Sequence, residues 1–195
     1  MILKIHITLF LALLYNLYIG KKEIFFIAYM FIIMHELAHM IVAILLKVDI
    51  EEITLLPFGA TAKYSGKMNL CKEFFIALAG PLASLLFAFI YHNDTYFKVN
   101  LLILVFNLIP IYPLDGGRML KVLLTCVLGK KLGVKINNLL NKIAIIFLIT
   151  FAFYMAFQYK NYSFLLINLY VLKIYKEERQ KDRILSIINY LQINK

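Results

Sequence analysis

Cysteine is scarce in this chain: among 195 residues only Cys71 and Cys126 occur. They lack metal-site spacing and any secreted-domain context, which argues against a cysteine-ligated metal; free thiols on the cytoplasmic side are expected over a disulfide. Acidic residues are also few, 11 against 21 Lys and Arg, for a formal net charge of +10. Such a balance would suit nucleic acid, but the basic residues lie in loops and tail between apolar runs, where the positive-inside rule accounts for them. Nucleic acid is therefore excluded as a partner, and contact with anionic lipid is the modest alternative. A cleavable leader is not expected either. Met1 to Lys4 precede an apolar stretch as in a signal peptide, but Lys21, Lys22 and Glu23 close the run without a small-residue cleavage site. A retained first span is expected.

What the chain has is apolar sequence in long runs. Hydrophobic residues make up 63% and the mean hydropathy is +0.81, well beyond a soluble domain. Six stretches stand out: about Ile5 to Ile19, Ile24 to Leu46, Phe74 to Tyr91, Val99 to Pro113, Ile143 to Phe157 and Tyr162 to Tyr175. A bilayer core takes about 20 helical residues, so several of these must borrow flanking residues or thin the bilayer. The expectation is an all-α, polytopic protein of the cell membrane with about six transmembrane helices. With six crossings, Lys4, Lys47, Lys63, Lys67, Lys72, Arg118, Lys121, Lys130, Lys131, Lys135, Lys142 and the tail from Lys173 fall on one side, against Lys21, Lys22, Lys98 and Lys160 on the other. That asymmetry predicts cytoplasmic termini.

The second run holds His35-Glu36-Leu37-Ala38-His39. On a helix, residues four apart point the same way, one turn apart, so the two imidazoles can grip one metal ion with Glu36 beside them. Zinc peptidases use this spacing, with two histidine ligands and the glutamate as general base. A pair of core histidines is the bland alternative; three ionisable side chains within five positions of a membrane-length run would be costly without a function. The second span runs inward, which puts His39 about 10 Å from its cytoplasmic end.

A catalytic zinc site normally has a third protein ligand. Asp115, in Asn107-Leu108-Ile109-Pro110-Ile111-Tyr112-Pro113-Leu114-Asp115-Gly116-Gly117-Arg118, is the only carboxylate between Asp94 and Glu177 and arrives on the same side as His39. Pro110 and Pro113 break regular helix, while Gly116 and Gly117 permit close backbone approach to a metal or a substrate. Alone, Pro-x-Asp-Gly-Gly reads as a turn; paired with the histidine motif at matching depth, it reads as a ligand. His6 and His92 lack neighbours at ligand spacing and read as interfacial. Val48 to Tyr64, with Pro57 and Gly59 at its middle, is too broken for a helix and suggests a short strand or re-entrant hairpin beside the site, or an ordinary interfacial loop. Ala79, Gly80, Ala83 and Ser84 allow close helix approach and are assigned no chemistry.

Both signatures, in this order, resemble those of the site-2 protease family of intramembrane metalloproteases, closest to its sporulation branch, which processes a membrane-associated sigma-factor precursor. Specific motifs cover Ile24 to Arg118. The resemblance implies one zinc ion per chain held by His35, His39 and Asp115, with Glu36 activating water. It further implies that Asn107 and Pro113 help hold an extended substrate, and that Phe58-Gly59 belongs to a re-entrant loop contacting it. Partners implied are a membrane-associated protein substrate, the lipid bilayer and a small membrane-protein inhibitor. The domain layout expected is 1–175 for the membrane metalloprotease and 176–195 for a short charged, then amphipathic tail. That tail is too small for the CBS domain usual in sporulation relatives, and no stretch could encode a PDZ domain. The rival readings are a membrane-anchored anti-sigma factor or signal-peptide remnant as substrate, or a non-proteolytic metal-binding membrane protein.

Overall fold

A computed structural model of the chain describes residues 2–5, 20, 22–56, 59–64, 68–91, 94–112, 114–159, 168, 171–173, 175, 176 and 180. The elements are β1 (Ile2–Ile5), α1 (Lys22–Leu45), β2 (Ile50–Leu56), β3 (Gly59–Tyr64), α2 (Leu70–Ile90), α3 (Asp94–Asn107) and α4 (Asp115–Tyr159). Most of the expected first and last spans, His6, His92, Phe58, Pro113 and nearly all of the tail lie outside the described residues.

Helix α1 divides its faces by helical spacing. Phe31, His35, His39 and Ala43 recur every four residues and are buried. Phe26, Met30, Ile33, Leu37, Ile41 and Ile44 form the opposite stripe, and all are exposed. An outward apolar stripe with polar groups inward suits a helix whose solvent is lipid. Among the described residues, three helical runs are long and apolar enough to cross a bilayer: Glu23–Leu45, Leu70–Ile90 and Asp115–Gln158.

The end of α1 turns the chain into the sheet. Lys47 adopts a left-handed φ of 53°, and the N–H groups of Lys47 and Val48 donate to the Ile44 and Ala43 carbonyls at 2.9 Å each. This pair of bonds is a Schellman cap, here closed by a residue other than glycine. Strands β2 and β3 follow as an antiparallel hairpin in which Leu56 pairs with Gly59. The hairpin alternative for Val48 to Tyr64 is therefore the one adopted. A third strand was not expected: β1 pairs in parallel with β2, Ile2 opposite Glu52 and Lys4 opposite Thr54. Four residues before an apolar run carry no readable strand signal, and only the partner edge of β2 reveals them. Lys4 Nζ lies 3.1 Å from Glu52 Oε2 across that edge.

Helix α2 starts before the expected Phe74 because Asn69 caps it, its side chain accepting the Cys71 N–H at 2.8 Å. Helix α3 has 14 residues, about 21 Å long, and stops at Asn107, short of the expected Pro113. The segment from Leu108 to Leu114 is irregular and pinned by its neighbours: the Tyr112 N–H donates to Asn141 Oδ1 at 2.9 Å, and buried Ile111 packs with Ile145 and Val171.

The lysine-bearing stretch from Arg118 to Lys142 is helical, where a loop was expected. Its one interruption is Gly129, with φ 78° and ψ 162°, a conformation almost confined to glycine. The chain reverses there. A Cβ on Gly133 would strike the backbone of Leu124 and Thr125, so the second limb packs directly on the first and returns towards Tyr112. Lysines on helix faces are compatible with either reading, so charge alone hid the hairpin.

Candidate metal centre

Helices α1, α2 and α4 meet around three side chains. His35, His39 and Asp115 are buried, at 2%, 5% and 6% exposure. Asp115 Oδ2 lies 3.1 Å from Nε2 of each histidine, and the two Nε2 atoms are 3.2 Å apart. A tetrahedral ion with bonds of about 2.0–2.1 Å separates its donors by about 3.3–3.4 Å, so the three atoms form one face of such a polyhedron. Asp115 opens α4, and the irregular segment before it sets its position.

Hydrogen bonding decides which ring atoms face inward. His39 Nδ1–H donates to the Ile76 carbonyl at 2.6 Å. A carbonyl only accepts, so in neutral His39 the proton is on Nδ1 and Nε2 carries a lone pair. That lone pair faces the carboxylate Oδ2, itself an acceptor, at 3.1 Å. Two acceptors held this close in a buried site need positive charge between them, a proton on Nε2 or a metal ion, and the donor set of two imidazoles and one carboxylate suits a divalent ion such as zinc. His35 Nδ1 is 2.9 Å from Ser84 Oγ, which orients that ring from the other side.

Helix α2 thus contributes more than the close packing assigned to its small residues. Ile76, Gly80 and Ser84 lie four apart on one face. Ile76 and Ser84 hold the two rings, and between them a Cβ on Gly80 would collide with Nε2 of both histidines. The four-residue spacing of these positions was the available signal, but nothing in the sequence tied them to the histidine motif, which lies 37 residues before Ile76. Gly116 and Gly117 are likewise explained differently from the expectation. Cβ atoms there would strike Leu108, Ile109, Ile111 and Tyr112 backbone, so the approach they permit is that of the chain's own irregular segment.

Phe31, one turn before His35, clusters with Phe87, Tyr91 and Tyr96 at centroid distances of 5.6–6.2 Å, covering the site towards the start of α1. At the other side Glu36 is half-buried. Arg118 Nη1 is 3.8 Å from Asp115 Oδ1, and Tyr64 of β3 lies beside the same guanidinium. Burial pushes the Tyr64 phenol up, so it stays neutral at physiological pH.

The structure brings His35, His39 and Asp115 together with Glu36 adjoining. Asn107 donates its amide to the Ile103 carbonyl at 3.0 Å, within its own helix. Gly59 opens β3 at the hairpin turn, while Phe58 and Pro113 lie outside the described residues.

Comparison with known proteins gives the chain a family. Residues 24–93 and 94–151 match the model of peptidase family M50. The chain is 34% identical over 139 residues to stage IV sporulation protein FB of Bacillus subtilis, spanning 63% of this chain and 48% of that one. It is 29% identical over 207 residues to a zinc metalloprotease of Methanocaldococcus jannaschii, spanning 95% of this chain and 59% of that one. The chain thus spans about half to three fifths of the length of these curated relatives. Among solved structures, the site-2 protease from Methanocaldococcus jannaschii superposes with a TM-score of 0.70 at 27% identity, over 90% of this chain and 89% of that one. A match over most of its length, carried by a buried two-histidine, one-aspartate centre, makes this chain a member of peptidase family M50.

Proposed function

We propose that the chain is an intramembrane zinc endopeptidase that cuts a membrane-associated protein near the cytoplasmic leaflet. The observation that carries this reading is the meeting of His35 Nε2, His39 Nε2 and Asp115 Oδ2 at 3.1–3.2 Å, with Glu36 one residue from the first ligand. Bound there, zinc supplies Lewis acidity and lowers the pKa of water to around 7. Glu36 would take a proton from the water as its oxygen bonds to the scissile carbonyl carbon, and would deliver that proton to the nitrogen as the C–N bond breaks. The amide becomes a carboxylate and an amine, and no other reactant is consumed. Burial keeps the centre away from helical substrates, whose carbonyls are already hydrogen-bonded and which must unwind first.

An unwound segment has a place to go. Among the described residues β3 pairs only with β2, and its outer edge offers backbone groups for an added strand. Gly59, which opens β3, and Asn107, together with Phe58 and Pro113, are the residues proposed to hold that strand. The substrate proposed is a sporulation sigma-factor precursor, which the similarity to a stage IV sporulation protein supports. Both termini are proposed to lie in the cytoplasm; for the N-terminus the pairing of β1 with β2 supports this, since Lys4 then shares a side with Lys47 and the α1–α2 connection. A small membrane protein is proposed as inhibitor.

The test is co-expression with a tagged sigma-factor precursor from the same genome, comparing wild type with Glu36→Gln by immunoblot. Loss of the pro-segment with wild type alone is expected. Equal cleavage by both would remove Glu36 from the chemistry, and no cleavage by either would move the search to another membrane-tethered substrate.

A further inference from the structure

Arg118 is largely buried, with 17% of its side chain exposed, and Asp115 is its acidic partner one helical turn earlier. The two oxygens of Asp115 are divided. Oδ2 faces both histidines, and Oδ1 faces Arg118 Nη1 at 3.8 Å. Tyr64, at the end of β3, lies beside the same guanidinium, and Tyr112 and Glu73 are within its electrostatic reach. One side chain thus stands where α4, β3, the irregular segment and the first turn of α2 converge. A guanidinium suits this place because its fixed fork can serve two acceptors at once.

We propose that Arg118 is the positioning residue of the metal centre: it holds Oδ1 of Asp115 so that Oδ2 alone faces the histidines, and through Tyr64 it ties β3 to that ligand. Without it, Asp115 is free to swing about its χ2 and present both oxygens to the ion. The strand edge proposed to take substrate is then one side chain away from the carboxylate that completes the centre. This inference rests on His35, His39 and Asp115 binding zinc, but not on cleavage.

The experiment uses the full chain in detergent micelles, with zinc affinity measured by competition against a chromophoric chelator and with the visible spectrum of the cobalt(II)-loaded protein. Arg118→Gln is expected to weaken zinc about 10- to 100-fold, the range for second-shell partners. Its cobalt band should lose intensity as the aspartate turns bidentate and the ion becomes five-coordinate. Arg118→Lys, which keeps the charge without the fork, should recover part of the affinity. Tyr64→Phe, which deletes one oxygen, should shift both readouts in the same direction by a smaller amount. If Arg118→Gln does not fold, Tyr64→Phe decides. Wild-type affinity and spectrum in the folded variants would overturn the proposal while leaving the zinc site standing. Failure of the wild-type chain to bind zinc would overturn the site and this inference together, and absence of proteolysis would touch neither.

Discussion

At Gly80 a single methyl group would sit where the two histidine Nε2 atoms face Asp115. Gly80→Ala is therefore expected to lose zinc in metal analysis and to weaken it by more than the roughly 100-fold upper range of second-shell changes. Its helix should persist, since alanine is the better helix former by about 1 kcal/mol. Ser84→Ala leaves room for the ion and removes only the partner of His35 Nδ1. It should weaken zinc about 10-fold in the same competition assay, and an unchanged affinity would show that Ser84 does not orient the ring. The histidine pair and Asp115 were legible because their residue types are costly in apolar sequence and their spacing has a chemical meaning. Gly80, Ser84 and the Ile76 carbonyl were not, since glycine, serine and a backbone oxygen carry no signal until another helix is laid against them.

Among the elements, the turn at Gly129 has the sharpest consequence. Its φ of 78° and ψ of 162° are open to glycine, and a Cβ there would meet nothing within 4 Å. The cost of Gly129→Ala is thus conformational alone, about 1–3 kcal/mol. It should appear as a lower midpoint in SDS-induced unfolding, with bound zinc unchanged at saturating metal. Hydropathy placed α1 and α2 well because a lipid-facing helix advertises itself by composition. It missed the α4 hairpin because a reversal at one glycine leaves an unbroken helical pattern on both sides. It missed β1 because four residues carry too short a pattern to separate strand from span. The β2–β3 hairpin was legible from Pro57, Gly59 and β-branched content, although only as one of two alternatives.

For the whole molecule, the centre joins elements far apart in sequence: α1 and α4 supply its donors, and α2 holds the rings. Occupancy should therefore report on global stability. Zinc at about 1,000 times its dissociation constant adds about 4 kcal/mol to the folded state. A strong chelator should accordingly lower the thermal unfolding temperature of the wild-type chain. His35→Ala, already without a ligand, should respond little, and an equal fall in both would place the chelator effect elsewhere. The apolar belt of Phe26, Met30, Ile33, Leu37, Ile41 and Ile44 makes a second expectation at this scale. Leu37→Asp, at mid-helix and facing outward, should cost about 3–4 kcal/mol in an insertion assay and reduce the membrane-inserted fraction.

Gly80 also constrains how this chain can drift. Every other amino acid carries a Cβ, and that atom alone intrudes on both rings, so the position has no permissive single step away from glycine. Its immediate neighbour Ala79 and the more distant Ala83 lie off that collision and carry no such ban. A random-substitution library selected for zinc retention should thus leave one silent column in the middle of α2, flanked by variable ones. A homologue bearing a side chain there would mark a lineage that has given up the ion.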